Sequence, residues 1–326
     1  MKTESVQARA RGKSIPGRAA SLFWKQRYLQ LLVGVGVVYL IIFSYIPMFG
    51  ILMAFKQYNI SMGISGIFTS PWVGLKYFIE FVTDYNFLTI LRNTLVLSIT
   101  KLVFTFPIPI LFAVMLNEVR SKGIKRLVQT SSYLPYFISW VIVAGFVMIF
   151  LSSQNGVINE LLTGLHLVDK PVEFLTSPGY FWWIAIFTAI WKDTGWWAII
   201  FLAAITSIDQ AMYEAAEIDG AGRLSRLRNI TLPGIKGTIT IVLILALGNL
   251  LGGGLSGSNF EQSFLLGNPG NIETSDIIQT YVLRVGLSEG RYAYSTAVGL
   301  LQSVISVLLI FSGNFASKKI SGDGLF

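Results

Sequence analysis

Six stretches of mostly apolar residues recur along the chain, and they restrict its fold more than any other feature. A helix of about 20 apolar residues crosses the hydrocarbon core of a bilayer, which is roughly 30 Å thick. Hydrophobic residues make up 53% of the chain and charged residues only 13%, so a soluble domain of this size would lack polar surface. The sequence therefore predicts an all-α integral membrane protein with six transmembrane helices, at residues 28–54, 88–116, 132–151, 180–206, 238–256 and 292–315.

Basic residues predict the orientation of these spans. Of the 25 Lys and Arg residues, 17 lie before the first span, in the second and fourth connections, or after the last span. The positive-inside rule places this side, and with it both termini, in the cytoplasm, where anionic lipid suits a net charge of +8. We therefore expect a disordered basic tail at 1–27, a six-span domain at 28–319 with a polar loop at 207–233, and a cytoplasmic tail at 320–326.

The chain carries little of the chemistry that catalysis requires. It has no cysteine and one histidine, His166, which argues against thiolate metal sites, disulfides and histidine-based triads. It has no nucleotide-binding motif with which to hydrolyse ATP itself, and no clustered catalytic set that would indicate an integral membrane enzyme. The sequence thus predicts a non-enzymatic protein with no cofactor or metal of its own.

The most polar internal segment, YEAAEIDGAGRLSRLRNITLP at 213–233, lies between the fourth and fifth spans. Ser207 and Gln210 match a capping box, and Asp209 is the rival N-cap. A helix is predicted to begin here and to end near Ile218, before two glycines. A connecting loop that follows the positive-inside rule explains the arginines, whereas a docking helix for a cytoplasmic partner also explains the helix–glycine–helix order. The residues alone leave both interpretations open.

The same segment contains a long spaced pattern: Glu-Ala-Ala, three residues, Gly, nine residues, Ile, one residue and Leu-Pro. With the aspartate of an Asp-Gly-Ala triplet, the matching residues are Glu214, Ala215, Ala216, Asp219, Gly220, Ile230, Leu232 and Pro233. This pattern resembles the cytoplasmic loop of ABC-importer permeases. The resemblance implies that the loop is a coupling helix, which sits in a groove of an ATPase subunit and carries its closing motion into the membrane. It also implies that ATP and Mg are bound by partner ATPase subunits and not by this chain.

Further stretches resemble the carbohydrate-uptake, maltose-type permeases. They are YLPYFISWVIVAGFVMIF at 133–150, GVINELLTGLHLVDKPVEFLTSP at 156–178 and IWKDTGWWAIIFLAAI at 190–205. NFEQSFLLGNP and the terminal GDGLF resemble the Gram-positive oligosaccharide and polysaccharide permease group. This resemblance implies a maltose-type permease fold in the bacterial plasma membrane and import of an oligosaccharide by alternating access. The implied partners are a second homologous permease in a heterodimer, two cytoplasmic ATPase subunits and an extracellular sugar-binding lipoprotein.

Polar and aromatic residues of the fourth span are candidates for a sugar path. Lys192 and Asp193 lie at membrane depth, where an ionisable residue costs about 2.5–3.5 kcal/mol on insertion scales. Trp196 follows Lys192 at helical spacing and Trp191 precedes it. Aromatic faces suit both the C–H groups of sugars and a nearby ammonium. The alternative is that the charges pair with a neighbouring span and that the tryptophans belong to the core or to an interfacial belt.

LGNLLGGGLSGS at 247–258 predicts a break in the outer half of the fifth span, because each glycine costs roughly 1 kcal/mol relative to alanine in a helix. Interrupted helices at membrane depth often mark transport sites, which adds Asn249 and Gly253 to the candidate path. Close helix packing through small residues is the alternative. The loop at 257–291 that follows is amphipathic and rich in turn residues, and we expect it outside, across the outer mouth of the bundle.

Two other functions stay open at this stage. An ion-coupled secondary carrier would need an ion site of its own, and Lys101, Lys192 and Asp193 are almost the only ionisable residues within the spans. An ABC permease for a non-sugar solute would share the 207–233 loop but not the loop after the third span. The sequence names neither the sugar nor the individual partner subunits.

Overall fold

The computed structural model describes residues 26–321, which are helical almost throughout. Within that range there is no β-strand, and an isolated antiparallel bridge joins Lys56 to Trp72. Nearly all of the tail predicted at 1–27, and residues 322–326, lie outside the described part of the chain, so the two predicted tails stay predictions.

Residues 26–52 form a unit of their own. Helix α1 (Arg27–Leu40) begins this unit and continues through a wider helical turn at Ile41–Tyr45. After Arg27 no charged residue interrupts the apolar run up to residue 55, and none of the residues in these two helical stretches is buried within the described structure. Such a helix suits a hydrocarbon environment.

The second unit begins at residue 53 and contains the other helices. They are α2 (Lys76–Val82), α3 (Phe87–Thr105), α4 (Pro107–Asn117), α5 (Lys122–Tyr133), α6 (Trp140–Phe150), α7 (Val157–Gly164), α8 (Pro178–Thr206), α9 (Gln210–Ile218), α10 (Arg223–Arg226), α11 (Lys236–Gly248), α12 (Asn259–Leu266), α13 (Ile278–Leu283) and α14 (Tyr292–Ser321), with shorter turns between them. Four segments are long and apolar enough to cross a membrane: Arg27–Phe55, Phe87–Asn117, Pro178–Thr206 and Tyr292–Phe315.

The other two predicted spans are bent pairs of helices. Lys122–Phe137 meets α6 at 100°, and Arg223–Gly234 meets α11 at 61°. At the first bend Ile138 is extended, and the Ser139 hydroxyl caps α6 by accepting from the backbone amide three residues on, at 3.4 Å. The apolar pattern over 132–151 did not predict this bend. The described residues therefore contain four helices long and apolar enough to cross a membrane, or up to six if each bent pair forms one span, and six spans stay a prediction.

The break predicted at 247–258, within the fifth span, is confirmed. Helix α11 ends at Gly248, and Gly253 and Gly254 have φ angles of +112° and +62°. Side chains with a Cβ rarely adopt this conformation. The Asn249 side-chain amide donates to the Gly254 carbonyl oxygen at 3.0 Å and closes the turn.

Helix α8 lies at the centre of the second unit, where it packs along α3, α4 and α5. Gly195 allows α5 to approach closely, because a Cβ at this position would lie 2.1 Å from the Ser132 carbonyl oxygen. On another side of α8, Phe201 packs in a cluster with Ala113 on α4 and Val242 on α11. Helix α11 in turn packs along α14. Small residues at such crossings are typical of helices packed in membranes.

Candidate docking segment and polar transmembrane network

The polar segment between α8 and α11 begins with a capped helix, as predicted. Of the two candidate N-caps, Asp209 is correct, because its carboxylate accepts from the Ala211 amide at 2.9 Å. The Ser207 hydroxyl instead bonds back to the Ala204 carbonyl oxygen at 2.8 Å. Helix α9 ends at Ile218 as predicted. The turn that follows needs glycine at position 220, where φ is +75°.

Internal contacts hold this segment together. The Tyr213 hydroxyl on α9 lies 2.9 Å from the hydroxyl of Thr231, which is buried at the far end of the segment. Arg226 reaches the Glu217 carboxylate at 3.4 Å. These contacts join α9 to residues 226–231, which lead on to α11. The segment is therefore a hairpin of helices braced by side-chain contacts. The exposed ion pair adds little stability by itself, typically about 0–1 kcal/mol, and the Tyr–Thr bond is the stronger constraint on geometry.

The residues of the spaced pattern divide into exposed and partly buried groups. Those that are exposed are Glu214, Ala215, Asp219, Gly220, Leu232 and Pro233, and those that are half-buried are Ala216 and Ile230. Ile218 and Leu224 beside them are exposed over 87% and 78% of their surface. Exposed apolar side chains grouped with carboxylates are typical of a surface that binds another protein.

A fully buried lysine organises the polar residues after the glycine break. The Lys101 ammonium on α3 donates to the Ser258 hydroxyl at 2.9 Å, to the Asn259 side-chain oxygen at 3.0 Å and to the Gln262 side-chain oxygen at 2.8 Å. An ammonium has three N–H donors, and all three are used. The Gln262 amide continues to the Ala185 carbonyl oxygen on α8, also at 2.8 Å. Helix α12 is thereby tied to both α3 and α8.

The first part of the expected outer loop, 257–291, forms a helix, α12, whose polar face is buried against α3 and α8. Its polar side chains at positions 258, 259 and 262 follow helical spacing and meet Ser98 and Lys101, which share one face of α3. From the sequence, Lys101 was recognisable only as an ionisable residue within a span. The matching polar stripes on two segments were the signal that could have paired them.

Lys192 and Trp196 lie in an aromatic cluster at the bend between α5 and α6. The Lys192 ammonium donates to the Tyr136 carbonyl oxygen at 2.6 Å and lies 5.0 Å and 5.5 Å from the ring centres of Tyr136 and Trp140. Trp196 stacks on Tyr136 with ring centres 4.4 Å apart and planes within 5°. The structure thus brings a cation and parallel aromatic faces together, and Tyr136 and Trp140 join the residues that sequence analysis named.

The other predicted path residues lie elsewhere. Asp193 is buried beside Ser256, at a small void lined also by Thr105. Trp191 faces an apolar groove on the outside of α8, and Asn249 closes the turn after α11. Gly253 is in contact with α12, since a Cβ there would lie 2.9 Å from the Asn259 side-chain oxygen. The six candidates therefore do not form one site.

A family model for the inner membrane component of binding-protein-dependent transport systems matches residues 105–322. That range holds α9, the 213–233 segment and α12. The chain belongs to this permease family.

Similar proteins agree with this assignment. The permease is 43% identical to protein LplB of Bacillus subtilis (strain 168), with 97% of this chain and 95% of LplB covered. It is 42% identical to the polygalacturonan/rhamnogalacturonan transport system permease protein YteP of the same organism, with 93% and 91% covered. Its fold is similar to a chain of the crystal structure of a bacterial alginate ABC transporter in complex with an alginate pentasaccharide-bound periplasmic protein. The TM-score is 0.83 at 40% identity, with 94% of this chain and 99% of that chain covered.

The permease is therefore a multi-pass membrane subunit of the carbohydrate-importing group of ABC transporters. The helical permease fold predicted from the sequence is confirmed, and so is the resemblance to oligosaccharide permeases. As a transport subunit it is not an enzyme. This membership also decides against the ion-coupled secondary carrier.

Proposed function

We propose that this permease imports an oligosaccharide containing uronic acid units, driven by two ATPase subunits that dock on the 207–233 segment. The ATPase subunits bind the ATP and Mg, a second homologous permease completes the path as a heterodimer, and an extracellular sugar-binding lipoprotein delivers the sugar. Both termini lie on the cytoplasmic side of the bacterial plasma membrane, as the distribution of basic residues indicates.

The observation that carries the docking role is a surface that is exposed yet braced. Glu214, Ala215 and Asp219 present two carboxylates and a side chain small enough for close approach. The Tyr213–Thr231 bond joins the two ends of the segment at 2.9 Å. A force on α9 is therefore passed to the residues that lead into α11, through Ile230, Leu232 and Pro233, instead of being lost in a mobile loop.

Docking is tested with a pair of matched glycines. Gly220 has φ +75° and Gly222 has φ −68°, and a Cβ at either position has no atom within 4 Å among the described residues. Alanine at 220 must adopt a left-handed conformation, which costs about 1–2 kcal/mol. Alanine at 222 has an ordinary φ angle and no such cost. We expect Gly220→Ala to lose ATPase subunits on purification, and Gly222→Ala to retain them.

Glu214→Ala tests the same surface through its charge. A hydrogen bond to a charged group contributes about 1.5–3 kcal/mol, so its loss should weaken ATPase binding about tenfold or more. The readouts are the ATPase subunits retained per permease and the hydrolysis stimulated by loaded binding protein. If Gly220→Ala and Glu214→Ala both behave as wild type, the segment is not the docking site.

The acidic nature of the sugar is supported by two similar proteins, the permease YteP and the alginate transporter, and by the cluster at Lys192. Polygalacturonan and alginate are both polymers of uronic acids, whose units each carry a carboxylate. Lys192 places a cation beside the Tyr136 and Trp140 rings, and Trp196 stacks on Tyr136; a cation among aromatic rings suits a carboxylate next to a sugar ring. Uptake into proteoliposomes that contain the whole importer should favour oligogalacturonides over neutral arabino-oligosaccharides. Equal uptake of both contradicts the acidic substrate.

A further inference from the structure

One pocket of the second unit is used by neither the docking segment nor the Lys101 network. It has a volume of about 490 Å³ and lies between α12, α13 and the turn that follows α13. Ligand pockets for small molecules occupy about 300–1,000 Å³, so this one has room for a short stretch of glycan. All of its walls come from the connection between α11 and α14, which the positive-inside rule places outside the cell.

One side of the pocket holds an arginine that is fixed in place. The Arg284 guanidinium lies 2.6 Å from the Asp276 carboxylate, and the Thr280 hydroxyl donates to the other oxygen of Asp276 at 2.8 Å. Its hydrogen bond to Asp276 raises the pKa of Arg284 above its ordinary value, so the side chain stays cationic. The guanidinium also lies over the Tyr281 ring at 5.6 Å.

Arg284 nevertheless keeps donors available for a ligand. Its side chain is 42% exposed while that of Asp276 is 12% exposed. A guanidinium has five N–H donors, and the bond to Asp276 uses one of its terminal nitrogens. The remaining donors match the planar geometry of a second carboxylate.

Other lining residues of the pocket are aromatic and aliphatic. Phe264 is 56% exposed and stacks on Phe260, with ring centres 5.5 Å apart and planes within 15°. Ile272 and Leu287 add exposed aliphatic side chains. Ser263 also lines the pocket and is buried, and its hydroxyl has no hydrogen-bond partner among the residues described. An aromatic face, a cation and a hydroxyl without a partner in the lining of one pocket suit a sugar ring that bears a carboxylate.

We propose that this pocket is an outer subsite for the transported glycan, in which Phe264 stacks on a sugar ring and Arg284 binds the carboxylate of a uronic acid unit. The inference rests on the proposed function and adds to it a place where the glycan is bound before it reaches the spans. A lipid chain or an apolar segment of a partner would use the Phe264 wall but would leave the Arg284 donors without an acceptor.

The test measures oligogalacturonide binding to the whole importer in nanodiscs without binding protein, and compares it with binding of a neutral arabino-oligosaccharide. We expect Arg284→Gln to weaken oligogalacturonide binding about tenfold or more, because a bidentate charged pair is lost, and to leave the neutral sugar unaffected. Arg284→Lys should bind oligogalacturonide more tightly than Arg284→Gln but less tightly than wild type, since lysine keeps the charge but not the paired, planar N–H donors. Phe264→Ala should weaken binding of both sugars.

Two control variants lie outside the pocket. Lys170→Gln removes one positive charge, and Tyr85→Ala removes an exposed aromatic ring; both should bind as wild type. Size-exclusion profiles and thermal midpoints establish that each variant assembles.

The outcomes separate this inference from the proposed function. If wild type imports oligogalacturonide and both Arg284→Gln and Phe264→Ala bind it normally, the subsite is refuted while the function stands. If Arg284→Gln impairs docking of empty and loaded binding protein alike and leaves sugar binding intact, the pocket is a protein contact and the inference is also refuted. If wild type neither binds nor imports oligogalacturonide, the acidic substrate itself is wrong.

Discussion

Replacing Lys101 tests whether one buried side chain holds α12 between α3 and α8. Lys101→Met keeps much of the length and apolar volume of the side chain but removes the ammonium. The three acceptors that it leaves belong to Ser258, Asn259 and Gln262, all of them buried. The variant therefore removes the donors while the oxygens stay enclosed.

The size of the effect follows from these acceptors. Each buried polar group left unsatisfied costs about 1–3 kcal/mol. The Ser258 hydroxyl can turn toward the Gln262 side-chain oxygen, which lies 3.5 Å away, and so partly replace one bond. The Asn259 oxygen has no such substitute nearby. We count the Asn259 oxygen as fully unsatisfied and the Gln262 oxygen as partly unsatisfied. The free energy of unfolding should therefore fall by about 2–4 kcal/mol.

Thermal unfolding of the detergent-solubilised importer at one fixed scan rate gives the readout. A loss of 1 kcal/mol lowers the midpoint by roughly 2–4 °C in domains of 150–250 residues, so a fall on the order of 5–10 °C is expected. The exposed residue Lys122, changed to Met, is the matched control and should shift the midpoint by much less, because surface substitutions usually stay within about 0.5 kcal/mol.

A double-mutant cycle makes the test specific. Asn259→Leu removes an acceptor of the same ammonium, so the combined variant should lose less than the sum of the two single variants. An unchanged midpoint in Lys101→Met, or strictly additive losses in the cycle, would show that Lys101 does not hold α12 in place.

The packing of α8, the orientation of the chain and the sugar path can each be tested with single substitutions. Gly195→Val should abolish assembly or lower the midpoint strongly, since its Cβ meets a backbone oxygen at 2.1 Å, whereas Gly179→Val at the start of α8 has open space and should assemble; size-exclusion chromatography distinguishes the two. In this chain without cysteines, Tyr85→Cys should react with an impermeant maleimide from outside and Lys122→Cys only after permeabilisation, and labelling of both from outside contradicts the orientation. Trp196→Ala should lower oligogalacturonide uptake several-fold with assembly intact, and wild-type uptake would remove this ring from the sugar path.

Local features of the chain were predictable because they depend on consecutive residues. The apolar runs identified the membrane environment, and the polar segment at 213–233 contained its own start and stop signals. Asp209 caps α9 and Gly220 follows its end, as short-range hydrogen bonding and backbone sterics require. The glycines after α11 likewise break the helix whatever surrounds them.

Features that depend on distant residues were not predictable in the same way. Both sharp bends and the separation of the candidate path residues into several places arise from packing between elements. Trp191, Lys192 and Asp193 are consecutive on α8, yet a helix turns successive side chains by about 100°, so they meet three different surroundings.

The apolar runs and the spaced pattern at 214–233 were enough to predict a helical membrane protein of the permease family. The contacts of its buried charges depend on packing between distant elements and became known from the three-dimensional arrangement. Lys101 and Gln262 are 161 residues apart and yet their side chains bond at 2.8 Å. A buried ammonium must find oxygen acceptors because it has lost water, and which acceptors it finds depends on how α12 folds back between α3 and α8.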